Sequence, residues 1–229
     1  INQLKVKKGM NSFSWDLRHD GPELVEDLVT MVLRNPSPGP RAVPGTYQIE
    51  LRIGDQKTQT SLELRADPRW SDVQPTDYAA QLATALEIRQ LITQSQRRIQ
   101  NIRALRKQVQ QLQEYLVDID PELNQLIAQA IPAMAEVEAL IIQNKAEASQ
   151  DNINYPRVFS NHIGRLYSVV VNAHHRPTQG ALERLADLQE EYQRIVEAYE
   201  ALLHNSVDPI REYLKSKGVE QLLLPVKVE

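Results

Sequence analysis

Apolar residues recur every three or four positions between residues 76 and 117. Tyr78, Leu82, Ala85, Ile88, Ile92, Ile99, Ile102, Val109, Leu112 and Leu116 fall on one stripe, with no Gly or Pro between them. The spacing predicts a single helix of roughly 60 Å at 1.5 Å per residue. Such a helix cannot shield its own stripe, so later helices are expected to pack on it. Asp120-Pro121-Glu122 supplies a capping carboxylate, a first-turn proline and an acid at the positive helix end. The helix it opens carries Leu123, Leu126, Ile127, Ile131, Met134, Val137, Leu140 and Ile141, and Pro132 is expected to kink it. A polar loop at 149–157 precedes a third helix over about 158–174, with Phe159, Ile163, Leu166, Tyr167, Val170 and Val171. Arg176-Pro177-Thr178 then breaks the chain and caps a fourth helix bearing Leu182, Leu185, Leu188, Tyr192, Ile195, Tyr199 and Leu202. That helix is expected to bend at Pro209 and stop at Gly218. Four amphipathic helices joined by short turns predict an up-and-down bundle.

Before residue 68 the period changes to two. Residues 1–8 alternate Leu4 and Val6 with lysines, and Phe13, Trp15 and Leu17 alternate again after a Gly9-Met10-Asn11 turn. The clearest strand is 46–53, with Tyr47, Ile49, Leu51 and Ile53 on one face. Gly54-Asp55 makes a tight turn, and 58–65 returns with Leu62 and Leu64 inward. Between these pairs, Leu24, Val25, Leu28, Val29 and Val32 predict a helical turn or two, followed by a proline-rich loop through Pro44-Gly45. Four strands are fewer than the seven or so of a full sandwich. The expected class is therefore α+β and multi-domain: a partial antiparallel β-sandwich at 1–67, a linker at 68–75, a helical bundle at 76–218 and a tail at 219–229. A strand already under way at Ile1, rather than a starting Met, gives the expectation of a piece of a longer protein.

Composition narrows the function. The net charge of −4 argues against a dedicated nucleic-acid binder, and no apolar run reaches the length of a membrane span. With no cysteine, disulfides, thiolate zinc sites and thiol nucleophiles are excluded. The long helix carries Arg89, Arg97, Arg98, Arg103, Arg106 and Lys107 without an acid between them, while the fourth helix carries Glu183, Asp187, Glu190, Glu191, Glu197 and Glu200. Charge-complementary packing between helices is the expected use of that ridge, in preference to phosphate binding. His174-His175 and His162 lack metal-ligand spacing and suit helix ends or surface. Asp118-Ile-Asp120 sits at a helix–helix turn, where capping is the expected role. Neither a nucleophile elbow, a phosphate loop nor a dinucleotide fingerprint is present. No catalytic, cofactor-binding or metal residue is assigned. The residues singled out are structural: Trp15, Asp16, Tyr47 and the Pro44-Gly45 turn in the β part, with Pro132, Pro177 and Pro209 at helix bends and breaks.

Three stretches carry a resemblance. Gly9-Met-Asn-Ser-Phe-Ser-Trp-Asp-Leu-Arg18, Gly39-Pro-Arg-Ala-Val-Pro-Gly-Thr-Tyr47 and Leu64-Arg-Ala-Asp-Pro-Arg69 are similar to segments in the C-terminal region of large bacterial BNR-repeat, sortilin-like β-propeller proteins, often labelled glycosyl hydrolases. Asn154-Tyr-Pro-Arg157 and Arg176-Pro-Thr178 resemble the helical tail of the same family. The first two stretches also resemble Ig-like modules of flagellar hook-cap proteins. One departure is the run from Met31-Val-Leu33 into Arg34-Asn-Pro36, where the family has a Trp-Gly-Gly-like stretch.

The resemblance implies an Ig/fibronectin-III-like module and a helical tail following propellers, in an extracellular or periplasmic protein. It implies a non-catalytic structural or interaction role without cofactor, the partners being upstream propeller domains of the same chain, and other proteins or a second copy through the helices. The alternative is a carbohydrate-binding accessory region supporting a glycoside hydrolase, which predicts an aromatic platform near Tyr47, Trp15 or Trp70.

Overall fold

The computed structural model describes residues 6–26, 28–30, 32–33, 36–116 and 120–218. Among these the fold is α+β: one two-stranded antiparallel sheet, and helices that account for most of the rest.

Helix α1 (Pro75–Leu116) is one uninterrupted element, as its apolar stripe requires. It starts one residue before the run at 76–117. Pro75 occupies the first turn, and the Asp77 carboxylate reaches back to accept from the Gln74 N–H at 2.9 Å. Two hydrophobic clusters divide its length. Ala85, Ile88, Ile92 and Ile99 join α3 (Phe159–Asn172) and the first half of α4 (Gln179–Leu202). Ile102, Leu105 and Val109 join α2 (Pro121–Ile141), the end of α4 and α5 (Asp208–Ser216).

The bundle therefore has three rods. α1 is the first; α2 and α3, end to end, return along it as the second; α4 and α5 form the third. Pairings fix the directions: Arg103 with Glu138 and Gln96 with Ser160 on the returning rod, Glu87 with Gln189 and Asn101 with Tyr199 on the third. A 3₁₀ turn (Ser149–Ile153) lies in the break between α2 and α3.

The prolines act at these joints in different ways. α2 runs through Pro132, which is exposed, so the carbonyl its missing N–H leaves free is on the wet side. Pro177 precedes the Thr178 cap, whose hydroxyl accepts from the Ala181 N–H at 3.2 Å. Pro209 stands in the first turn of α5, directly after a π turn (Leu203–Val207). The wider hydrogen-bond ring of that turn shifts the ladder by one residue where Pro209 cannot donate. Asp120 caps α2 through the Leu123 N–H and accepts from the Tyr213 hydroxyl of α5 at 2.7 Å, tying the third rod to the second. Asp118 lies outside the described residues.

The β part is smaller than expected. β1 (Gly45–Ile53) and β2 (Gln56–Leu64) pair over nine residues each. Gly54 takes φ +55° in their two-residue turn, which a side chain would disfavour. The expected strand at 1–8 falls largely outside the described residues, and residues 6–17 join no ladder; beyond β1 and β2 a lone bridge joins Arg18 and Arg41. A segment with alternating side chains becomes a strand only when an edge lies beside it, and among the described residues none pairs with 6–17.

The 18–45 region differs more. Leu24, Val25 and Leu28 form no helix; one turn closes at Leu28 N–Val25 O, 3.3 Å. The described residues between 19 and 42 instead make a strap across the groove between α1 and α3, and Leu24, Val25 and Leu33 enter the bundle core. Side chains of α1 satisfy the irregular backbone. The Glu23 N–H donates to Thr93 Oγ1 and the Val25 N–H to buried Gln96, both at 3.2 Å. Arg97 holds Glu23 with two hydrogen bonds, and the Tyr167 hydroxyl donates to the Pro38 carbonyl at 3.0 Å. Gly164 makes room for Leu33, whose Cγ would be 2.7 Å from an added Cβ.

The two passes of the strap run backbone against backbone, His19 N to Pro40 O at 2.9 Å and Ala42 N to Leu17 O at 2.8 Å. A Cβ on Gly39 would sit 1.7 Å from the His19 carbonyl oxygen, which cannot move aside as a side chain could. Gly39→Ala is expected to lower stability by about 2–3 kcal/mol. Hydrogen exchange should show the Ala42 and His19 amides losing protection while α2 keeps its own.

Candidate functional site

The cationic ridge of α1 is absorbed by the fold, and its partners differ in part from those expected. Glu138 of α2, 2% exposed, accepts from Arg103 Nε at 2.7 Å and Arg106 Nη2 at 2.6 Å. Arg97 pairs with Glu23, and Arg89 donates to the Asp20 carbonyl of the strap. Arg98 lies over the rings of Tyr192 and Tyr199 and bonds the Tyr192 hydroxyl. Burial pushes the Tyr192 phenol up to about 12. So α4 meets the ridge with aromatic rings, while Glu183, Asp187, Glu190, Glu197 and Glu200 face solvent. The acids of a helix that packs through Leu and Tyr necessarily point away from the packed face.

One cleft of about 290 Å³ lies where the hairpin base meets the start of α1 and the end of α3. Each wall is set by local chemistry. Asp67-Pro68 begins a turn in which Asp67 Oδ1 accepts the Arg69 N–H at 3.0 Å and the Trp70 N–H reaches the Asp67 carbonyl, also at 3.0 Å. That turn presents Trp70, 40% exposed, to the cleft. Beyond α3 the chain places His174 flat against the indole, centroids 4.8 Å apart and planes 11° from parallel. Gln81 of α1 supports that end by donating to the Val170 and Ala173 carbonyls at 2.8 and 2.6 Å.

The opposite wall comes from the strap and the segment before it. Leu17, at φ +59°, turns the chain so that Asp16 and Arg18 both line the cleft. Arg18 donates to the Gly39 carbonyl at 2.8 Å. Arg41 Nη1 is 3.3 Å from His174 Nδ1. A guanidinium only donates, so in that contact Nδ1 can serve only as the acceptor.

Asp67, in the turn that presents Trp70, has its pKa lowered by a close ion pair. The Arg69 guanidinium, within 2.5 Å of its carboxylate, and the Arg69 backbone N–H hold its pKa at about 2, against 3.8 ordinarily. A carboxylate depressed in the folded state stabilises fully above its unfolded value and loses that contribution as pH falls towards 2. Carboxyl NMR titration of Asp67 is expected to give a midpoint near 2, and Arg69→Gln should return it towards 3.8.

Of the residues singled out from sequence, Asp16 and Pro44 line this cleft, and Trp15 and Tyr47 stand behind its wall. Their rings meet edge to face at 5.2 Å, both half-buried. The Trp15 indole donates to the Arg18 carbonyl at 2.9 Å, and the Tyr47 hydroxyl to the Val43 carbonyl at 2.7 Å. Gly45 opens β1; Pro132, Pro177 and Pro209 lie outside the cleft. Arg18, Arg41, Gln81 and His174 were missed as a group, because their separation along the chain gives no spacing to read. No group of three or more His, Asp and Glu capable of holding a metal occurs among the described residues, and no described helix is long and apolar enough to cross a membrane. Comparison with protein-family models, curated proteins and solved structures finds no match to this chain.

Proposed function

We propose that this chain is a non-catalytic structural and interaction module of a larger secreted, extracellular or periplasmic β-propeller protein of the BNR-repeat, sortilin-like type. Its β part is an Ig/fibronectin-III-like sandwich completed by strands beyond the described residues. One observation supports this reading above the others. Among the described residues, eight of the twelve exposed large hydrophobic side chains precede α1. They include Ile49, Leu51 and Ile53 along one face of the hairpin, and Val6, Met10 and Phe13 before it. The other face carries Glu50 bound by Arg52, Lys57 and Gln59, as a solvent face should be. A two-stranded hairpin with an uncovered apolar face and two open edges is marginal in water, whereas one covered by further strands is stable.

The test is amide hydrogen exchange of β1 and β2 in this chain alone and in the longer polypeptide of the same gene. Exchange slower by about a hundredfold or more in the longer protein is expected. Equal exchange in both rejects the reading.

A second reading, a carbohydrate-binding accessory region, is favoured by Trp70, an exposed ring in a cleft rather than in a core. A glycan array probed with this chain distinguishes the two readings.

A further inference from the structure

We propose that the cleft binds a carboxylate-bearing monosaccharide, its ring laid on Trp70 and its carboxylate held by Arg41, with Arg18 alongside. This rests on the second reading above and adds the ligand class.

The volume of about 290 Å³ is at the small end for small-molecule sites, which run from about 300 Å³, and suits one sugar ring. An aromatic plane beside convergent polar groups is the arrangement that a ring with apolar faces and a hydroxylated rim requires. Trp70, 40% exposed, supplies the plane through the surface that the stacked His174 imidazole leaves open. Asp16 lines the opposite wall and uses Oδ1 for the Arg18 N–H, which leaves Oδ2 to accept from sugar hydroxyls.

Charge sets the class. Three arginines line the cleft against two aspartates. Asp67 is already neutralised by Arg69, and Arg65 pairs with Glu63. Among the described residues Arg18 and Arg41 form no ion pair: the first bonds a backbone carbonyl, the second faces His174 Nδ1. Antiparallel backbone pairing at the Arg18–Arg41 bridge brings both residues to the lining of the one cleft. A carboxylate there gains charge-assisted hydrogen bonds. A neutral sugar offers neither.

The experiment is a titration of the intact chain at neutral pH, following the Trp70 indole N–H by ¹⁵N–¹H NMR, with Trp70→Phe to assign the peak. The probes are glucuronate and galacturonate, the methyl ester of glucuronate as a neutral analogue of the same shape, and glucose and galactose. Saturable shifts of the Trp70 peak with the uronates are expected, weaker by about tenfold with the methyl ester. Arg41→Gln should weaken uronate binding by a similar factor and Arg41→Lys by less, with the Trp15 indole peak unmoved as a sign that the wall is intact. Oligouronides added in the same way show whether a free monosaccharide or a unit within a polysaccharide is preferred; either source fits the proposal. Equal binding of ester and acid overturns the charge assignment and leaves the carbohydrate reading standing. Unchanged binding by Arg41→Gln moves the ligand elsewhere. If no sugar shifts Trp70, both the inference and the carbohydrate reading of this cleft fail.

Discussion

Phe159→Ala is expected to lower the unfolding free energy by about 3–5 kcal/mol, as read by urea denaturation. Phe159 is the first residue of α3 and is fully buried. Its ring stacks on Tyr192 of α4 at 5.5 Å, in the cluster that also holds Ile92, Ile99 and Ile163. It enters the core just after the α2–α3 break, where the second rod has no continuous helix to settle inward and fill a void. A domain stability of about 5–15 kcal/mol leaves little after such a loss. A cost below about 1 kcal/mol would show that the break repacks freely and that the two halves of the rod are not locked in place.

The second large effect concerns Glu138, the one buried acid among the described residues of the bundle. Glu138→Ala should cost about 3–5 kcal/mol, nearer the lower figure because Arg103 and Arg106 are partly exposed, with side chains 32% and 23% accessible. Removing the carboxylate leaves two guanidiniums facing the α1–α2 seam without the oxygens at 2.7 and 2.6 Å that now hold them. Glu138→Gln, which keeps an acceptor but not the charge, should fall between. Replacing all three residues together by Leu, Leu and Met should recover most of the loss, because desolvation of the ions disappears with the ions. If the triple variant is as unstable as Glu138→Ala, packing volume and not charge governs the seam.

The helices were legible because their signals are local. Asp120-Pro121 and Thr178 cap where the sequence puts them, and Gly54-Asp55 turns the hairpin. The long-range pairings were not legible. Nothing within ten residues of Leu24 or Val25 says that they enter a bundle whose nearest wall starts about fifty residues later. The three-rod arrangement is hidden for the same reason: α2 and α3 read as two helices of a four-helix bundle until Glu138 and Ser160 are seen on the same side of α1. Alternation at 13–17 predicts a strand, but these residues join no ladder and Leu17 takes φ +59°, since pairing depends on a neighbour that alternation does not specify. In the candidate site, Trp70 could be named as a residue of interest from its type alone. His174 and Arg41 could not, because 133 residues separate them.

The strap also sets the order in which the chain matures. Pro38 waits for Tyr167, 129 residues later, and Leu33 waits for Gly164. The groove they fill does not exist until α3 lies along α1. At ribosomal rates of about 5–20 residues per second, Leu24, Val25 and Leu33 stay without a docking surface for roughly 10 s after they are made. A chaperone that grips short apolar segments would meet this stretch first and release it last, and a chain arrested within α2 should remain bound to it.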